Sequence, residues 1–82
     1  MKIVRNHEAI AQREDSIVND IIEEAKKIAM KGQISGCIKV KDDNGLDFTS
    51  IGAKVYKSTE GSVSLTSRGY CGCTYYHFKI ID

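Results

Sequence analysis

Eighty-two residues with twelve basic and eleven acidic side chains give a formal net charge of +1, so the overall charge indicates neither a strongly basic nucleic-acid-binding chain nor an acidic nucleic-acid mimic. A chain this short buries only about 60% of its unfolded surface, so we expect a single domain over residues 1–82, supplemented by homo-oligomerisation. The odd number of cysteines, the lack of a signal-like segment and the absence of an apolar run of membrane-spanning length predict a soluble, cytoplasmic protein without a disulfide framework.

The first predicted element is an α-helix over about residues 7–31. Asn6 has a side chain suited to an N-cap, and Glu8 lies in the first turn, where the helix dipole favours negative charge. Apolar residues recur at helical spacing in the second half, and Gly32 stands where a C-terminal cap belongs. The polar segment 12–15 leaves two alternatives, one long helix or two segments that break near residue 15.

After Gly32 the apolar pattern changes to strict alternation, which predicts β-strands. Asn44-Gly45 is a strong hairpin-turn signal, and Glu60-Gly61 predicts a second turn. The predicted strands span about residues 34–41, 47–57, 62–67 and 70–81. We therefore predict an α+β fold, in which the N-terminal α-helix packs on one face of an antiparallel sheet of about four strands in a meander.

The face of this sheet that the helix does not cover is predicted to be basic, because the acidic residues of this half lie in turns or at strand ends. Lysine and arginine can bind an anion through charge-assisted hydrogen bonds, and aromatic rings offer stacking surfaces. The alternative is an ordinary solvated sheet face, for which lysine, serine and threonine are common choices. The predicted ligand- or partner-binding residues are Lys39, Lys54, Tyr56, Arg68, Tyr75, His77 and Lys79.

Cysteine and histidine on the same predicted face raise the possibility of zinc, with Cys37, Cys71, Cys73 and His77 as the alternative ligand set. On a straight strand Cys71 and His77 lie on the order of 20 Å apart, and in a meander Cys37 lies roughly 14 Å from the last strand. Cys73 and His77 are about 13 Å apart along the strand, too far for a nucleophile and its base. We therefore expect no metal, no cofactor and no catalytic residues.

The leading hypothesis is a small non-catalytic binding protein, of a size often carried by phages, that inhibits or sequesters a partner through the uncovered face. Two alternatives stay open, a nucleotide- or nucleic-acid-binding module and a small ribonuclease-like enzyme that uses general acid–base catalysis. The dependence of affinity on ionic strength distinguishes phosphate binding from an apolar protein interface, because phosphate contacts weaken steeply as the salt concentration rises.

Overall fold

The computed structural model describes residues 1–41, 45–70 and 73–81, and of Arg68 and Tyr70 it describes only the backbone. The elements in chain order are α1 (His7–Met30), β1 (Ser35–Lys41), α2 (Phe48–Ser58), β2 (Val63–Tyr70) and β3 (Cys73–Ile80). The three strands form one antiparallel sheet in the order β1-β3-β2, so the last strand lies in the middle. The predicted N-terminal helix and antiparallel sheet are confirmed, whereas the four-stranded meander is wrong.

Helix α1 is continuous, so the polar segment near residue 15 does not break it. The Asn6 side chain accepts a hydrogen bond from the backbone N–H of Ala9 at 3.0 Å, as expected of an N-cap. At the other end the N–H of Gln33 donates to the carbonyl of Ile28 at 2.9 Å, and Gly32 has a φ of 77°. This positive-φ glycine reverses the chain in a Schellman-type cap and directs it into β1.

The predicted strand over residues 47–57 is wrong, because this segment forms helix α2. The Asp47 side chain accepts a hydrogen bond from the N–H of Thr49 at 3.0 Å and caps the helix. Ile51 and Val55 are fully buried, and Phe48 packs against the same core. Apolar residues at spacings of three and four fit a helix, but the segment also contains an apolar alternation and several β-branched residues, which fit a strand.

Both helices pack on the same face of the sheet and enclose the core. Tyr76 and Phe78 of the central strand point into this core and are 1% and 2% exposed. The ring of Tyr76 meets that of Phe48 edge to face, with centroids 5.6 Å apart. Phe78 lies over Gly36 on β1, where an added Cβ would be only 2.9 Å from the ring. The opposite face of the sheet therefore has no helix over it among the described residues.

Neither of the helices formed by the described residues combines the length and apolarity needed to cross a membrane.

Candidate functional site

The candidate site is the outer face, which we define as the side of the sheet opposite the two helices. Antiparallel pairing arranges its residues in rows that cross the three strands, with neighbouring rows about 7 Å apart. For Arg68 and Tyr70 only the backbone is described, so the rows give the place of their backbone in the sheet. From one end of the sheet to the other, the rows are Ser35–Lys79–Ser64, Cys37–His77–Thr66, Lys39–Tyr75–Arg68 and Lys41–Cys73–Tyr70.

The charge of the strands has a single sign. No Asp or Glu occurs in β1, β2 or β3, whereas the same strands contain Lys39, Lys41, Arg68 and Lys79 together with His77. The three lysines are exposed, and none pairs with a carboxylate that the structure describes. Clustered like charges without nearby counter-charges create a positive potential that attracts anions.

A groove of about 460 Å³ opens on the outer face at the first two rows. Its polar groups are the hydroxyls of two serines and one threonine, the His77 imidazole, the Lys79 ammonium and the Cys37 thiol. Hydroxyl and ammonium groups are hydrogen-bond donors to anionic oxygens. The residues that line the groove are Ser35, Gly36, Cys37, Ser64, Thr66, His77, Phe78 and Lys79.

An aromatic residue stands at the centre of the next row. Tyr75 is half-buried, and its register neighbours are Lys39 on β1 and the backbone of Arg68 on β2. A partly exposed ring beside a cation suits a flat, negatively charged ligand such as a nucleotide base with its phosphate. The structure thus brings four of the predicted binding residues together on one face, namely Lys39, Tyr75, His77 and Lys79.

Lys54 does not belong to this face, because it lies on α2. Its ammonium group donates to Asp15 at 3.1 Å and to Glu14 at 3.4 Å. The hydrogen bond with Asp15 is the largest cause that raises the pKa of Lys54 above its ordinary value of 10.5, and burial of the ammonium group acts in the opposite direction. Lys54 therefore links the two helices on the far side of the molecule.

Tyr56 also lies on α2, so its predicted position on the sheet face is wrong. Tyr56 is 56% exposed, and its ring lies next to Gly61, where an added Cβ would be 3.1 Å from the phenol. Both misplacements have one cause, because residues 47–57, which the sequence predicts to be a strand, contain helix α2.

Cys37 lies much closer to the last strand than a meander would allow. Because β3 is central, Cys37 is directly opposite His77, and the Cβ atoms of such pairs are typically about 5 Å apart. The roughly 14 Å separation predicted for a meander is therefore wrong. The sequence alternation places Cys37 on the outer face, but no local pattern reveals which strand lies beside β1.

Within the described part of the chain, no group of three or more His, Cys, Asp or Glu residues is arranged to hold a metal ion. Cys73 pairs with Lys41, two rows away from Cys37 and His77, so these three side chains do not converge. Cys71, the fourth member of the alternative zinc set, lies outside the described residues.

A second groove, of about 740 Å³, runs between α1 and the free edge of β1. Acidic residues of α1, among them Asp20 and Glu23, line it together with Lys39 and Lys41 of the strand. Because both signs of charge are present, this groove discriminates poorly between anions and cations. The outer face has the more selective chemistry.

No protein-family model, curated protein or solved structure matches this chain.

Proposed function

We propose that this protein is a non-catalytic binding protein that sequesters single-stranded nucleic acid on its outer face. The observation that carries the proposal is the charge of the three strands, which contain four lysine or arginine residues and no carboxylate. An extended polyanion can follow such a surface across several rows, whereas a small anion would use only one or two of the cations.

Base stacking supports nucleic acid over other polyanions. Tyr75 is partly exposed beside Lys39, which lets a base lie on the ring while its phosphate approaches the ammonium group. In proteins that bind single strands, stacking of one base on an aromatic side chain contributes about 1–3 kcal/mol of binding free energy, and this contribution depends little on which base is stacked. The expected specificity is therefore for single strands over duplexes, with little preference among bases.

The test is fluorescence anisotropy with a labelled oligothymidine of about 12 nucleotides, a length within the usual range for one binding surface. Affinity is measured between roughly 50 and 200 mM salt, because each neutralised phosphate contributes about −0.7 to the salt slope for single strands. Replacing both Lys39 and Lys79 by Gln should lower the affinity. The slope of log affinity against log salt concentration should become shallower by about 1.4, because two phosphate contacts are lost.

The matched control replaces Lys26 and Lys57 by Gln. These exposed lysines lie on α1 and α2, so the control changes net charge equally without touching the outer face. It should keep the parent's slope. Equal losses in both double variants, or unchanged binding in the outer-face variant, would refute the proposal.

A further comparison separates nucleic acid from an acidic protein. Polyglutamate of matched charge should compete weakly with oligothymidine, because it offers no base to stack on Tyr75. Tyr75→Ala should weaken oligothymidine binding by about tenfold or more without changing the dependence of affinity on salt. If polyglutamate competes as well as the oligonucleotide, the natural partner is an acidic protein and the nucleic-acid assignment fails.

We further propose that homo-oligomers form through an apolar end of the molecule. Ile34 and Ile81 are 59% and 50% exposed at this end, where the Ile34 carbonyl accepts a hydrogen bond from the N–H of Ile80 at 2.7 Å. Met30, at the end of α1, is 89% exposed and only four residues away in the chain. Native mass spectrometry should show an oligomer that Ile34→Ser with Ile81→Ser converts to monomer, and a monomeric parent protein would refute this interface.

A further inference from the structure

We propose that Cys37, with His77 opposite it across the strand pair, is a thiol–disulfide exchange site for small disulfides that carry carboxylates. This inference is independent of nucleic-acid binding, since it concerns covalent chemistry at one thiol. It rests on three features of the outer face: the accessibility of the thiol, a base directly across from it, and cations in the neighbouring rows.

The thiol of Cys37 is free and exposed. It lies on β1, which is an edge strand, and it contributes to both the outer-face groove and the groove along the α1 side of this edge. In the exchange reaction the attacking thiolate must approach one sulfur of the disulfide from the side opposite the leaving sulfur. Because Cys37 is exposed on an edge strand, a disulfide can reach it in this orientation.

His77 provides the base. It is exposed on the same face, directly opposite Cys37 in the register, and both side chains line the outer-face groove. A neutral imidazole can accept the thiol proton, and the thiolate is the nucleophile in exchange reactions. Cys73 offers an internal contrast, because it is half-buried and its register partners are Lys41 and Tyr70.

The neighbouring rows indicate the kind of disulfide. Lys79 is one row from Cys37 on the adjacent strand, and Lys39 is one row away on the same strand. Their ammonium groups can bind carboxylates of a reagent whose sulfur reaches Cys37. The outer-face groove, at about 460 Å³, falls within the usual size of small-ligand sites.

The exchange balances without a further oxidant. The Cys37 thiol gives its proton to His77, and the thiolate attacks one sulfur of the disulfide. A bond forms between Cys37 and that sulfur while the reagent's sulfur–sulfur bond breaks. The leaving thiolate takes the proton from His77, so one half of the reagent departs as a thiol and the other half stays on Cys37 as a mixed disulfide.

The experiment treats the fully reduced protein with oxidised glutathione near pH 7, quenches samples with acid and assigns the modified cysteine by peptide mass spectrometry. Because the thiolate is the nucleophile, a base that removes the thiol proton raises the rate of exchange. We expect Cys37 to react about three- to tenfold faster than Cys73 in the same molecules.

His77→Asn separates base assistance from simple exposure. His77 is an exposed position, so the variant should fold, and circular dichroism checks this. The Cys37 rate should fall by about the same three- to tenfold, with the Cys73 rate unchanged. An unaltered Cys37 rate in this variant, or a parent in which Cys37 reacts no faster than Cys73, would overturn the proposal.

Lys79→Gln tests the reagent class in a second variant. It should slow the reaction of Cys37 with oxidised glutathione but not with the uncharged hydroxyethyl disulfide. Equal rates of the parent and Lys79→Gln with both reagents would overturn the preference for carboxylate-bearing disulfides.

Discussion

The helix layer and the outer face contain charged residues that serve different purposes. In the helix layer Glu14 is buried and accepts hydrogen bonds from the N–H of Asp47 at 3.1 Å, from Ser50 at 3.2 Å and from Lys54 at 3.4 Å. A carboxylate at the N-terminus of α2 is favoured by the helix dipole and joins the two helices. The lysines of the outer face form no ion pair with a described carboxylate, so their charge is available to a partner.

The two layers also differ in what their glycines do. Gly36 on β1 leaves the space that the Phe78 ring occupies, whereas a Cβ added to Gly52 on α2 would meet no described atom within 4 Å. Gly36 is required by the packing of the Phe78 ring across the β1–β3 strand pair. The other is a helix-interior glycine with no packing role, and it carries only the entropic penalty of glycine in a helix.

The largest expected effect is at Gly36. Gly36→Ala should destabilise the protein by about 1–3 kcal/mol, because the added Cβ clashes with a buried ring that has little room to move. Urea unfolding followed by circular dichroism measures this. Gly69→Ala is the control, since that strand position is exposed and an added Cβ there meets no described atom within 4 Å. Similar losses in the two variants would show that the Phe78 contact is unimportant.

The next effect tests whether charge in the helix layer is structural. Glu14→Ala should lower the free energy of unfolding by about 1–2 kcal/mol, because it removes the acceptor for the Asp47 N–H and for two side chains. Glu14→Gln keeps an acceptor oxygen and should lose less. Glu23→Ala, at an exposed position of α1, serves as the control. Thermal and urea unfolding compare all three, and a loss at Glu23 equal to that at Glu14 would contradict the contrast between the layers.

A smaller effect of opposite sign is expected at Gly52. Gly52→Ala should raise the free energy of unfolding by about 0.5–1 kcal/mol, because alanine favours a helix interior and has room for its Cβ. Urea unfolding of the parent and the variant, followed by circular dichroism, measures this gain. Destabilisation by Gly52→Ala would contradict the helix.

The smallest effect concerns the pH dependence of the Lys54 ion pair. Hydrogen bonds to Asp15 and Glu14 raise the pKa of Lys54 in the folded state above 10.5, so the fold favours its charged form. The stabilisation is present at neutral pH and is lost only as the pH rises through the raised folded pKa. We expect the parent to lose more stability than Lys54→Gln as the pH rises from neutral through this raised pKa. Because tyrosine also titrates in this range, the difference between the two proteins is the relevant quantity.

Several features follow directly from the sequence because they depend on neighbouring residues alone. The caps at Asn6 and Gly32 locate α1, and the two-residue alternation of the last strand identifies Tyr76 and Phe78 as inward-facing. The alternation in β3 places Tyr75, His77 and Lys79 on the outer face, and that in β1 places Lys39 there. These side-chain directions hold whichever strand lies beside another, since a strand always presents alternate residues to opposite faces.

Tertiary structure decided the rest, because the competing local signals are close in strength or the contacts join distant parts of the chain. Residues 48–58 fit both a strand and a helix, and the helix is stabilised by burial of Ile51 and Val55 and by the contact of Glu14 with the α2 N-terminus. Strand order likewise depends on how the helices cover the sheet. That order, together with the register of the β1–β3 pair, makes Cys37 the neighbour of His77, a pairing between residues forty positions apart that no local pattern encodes.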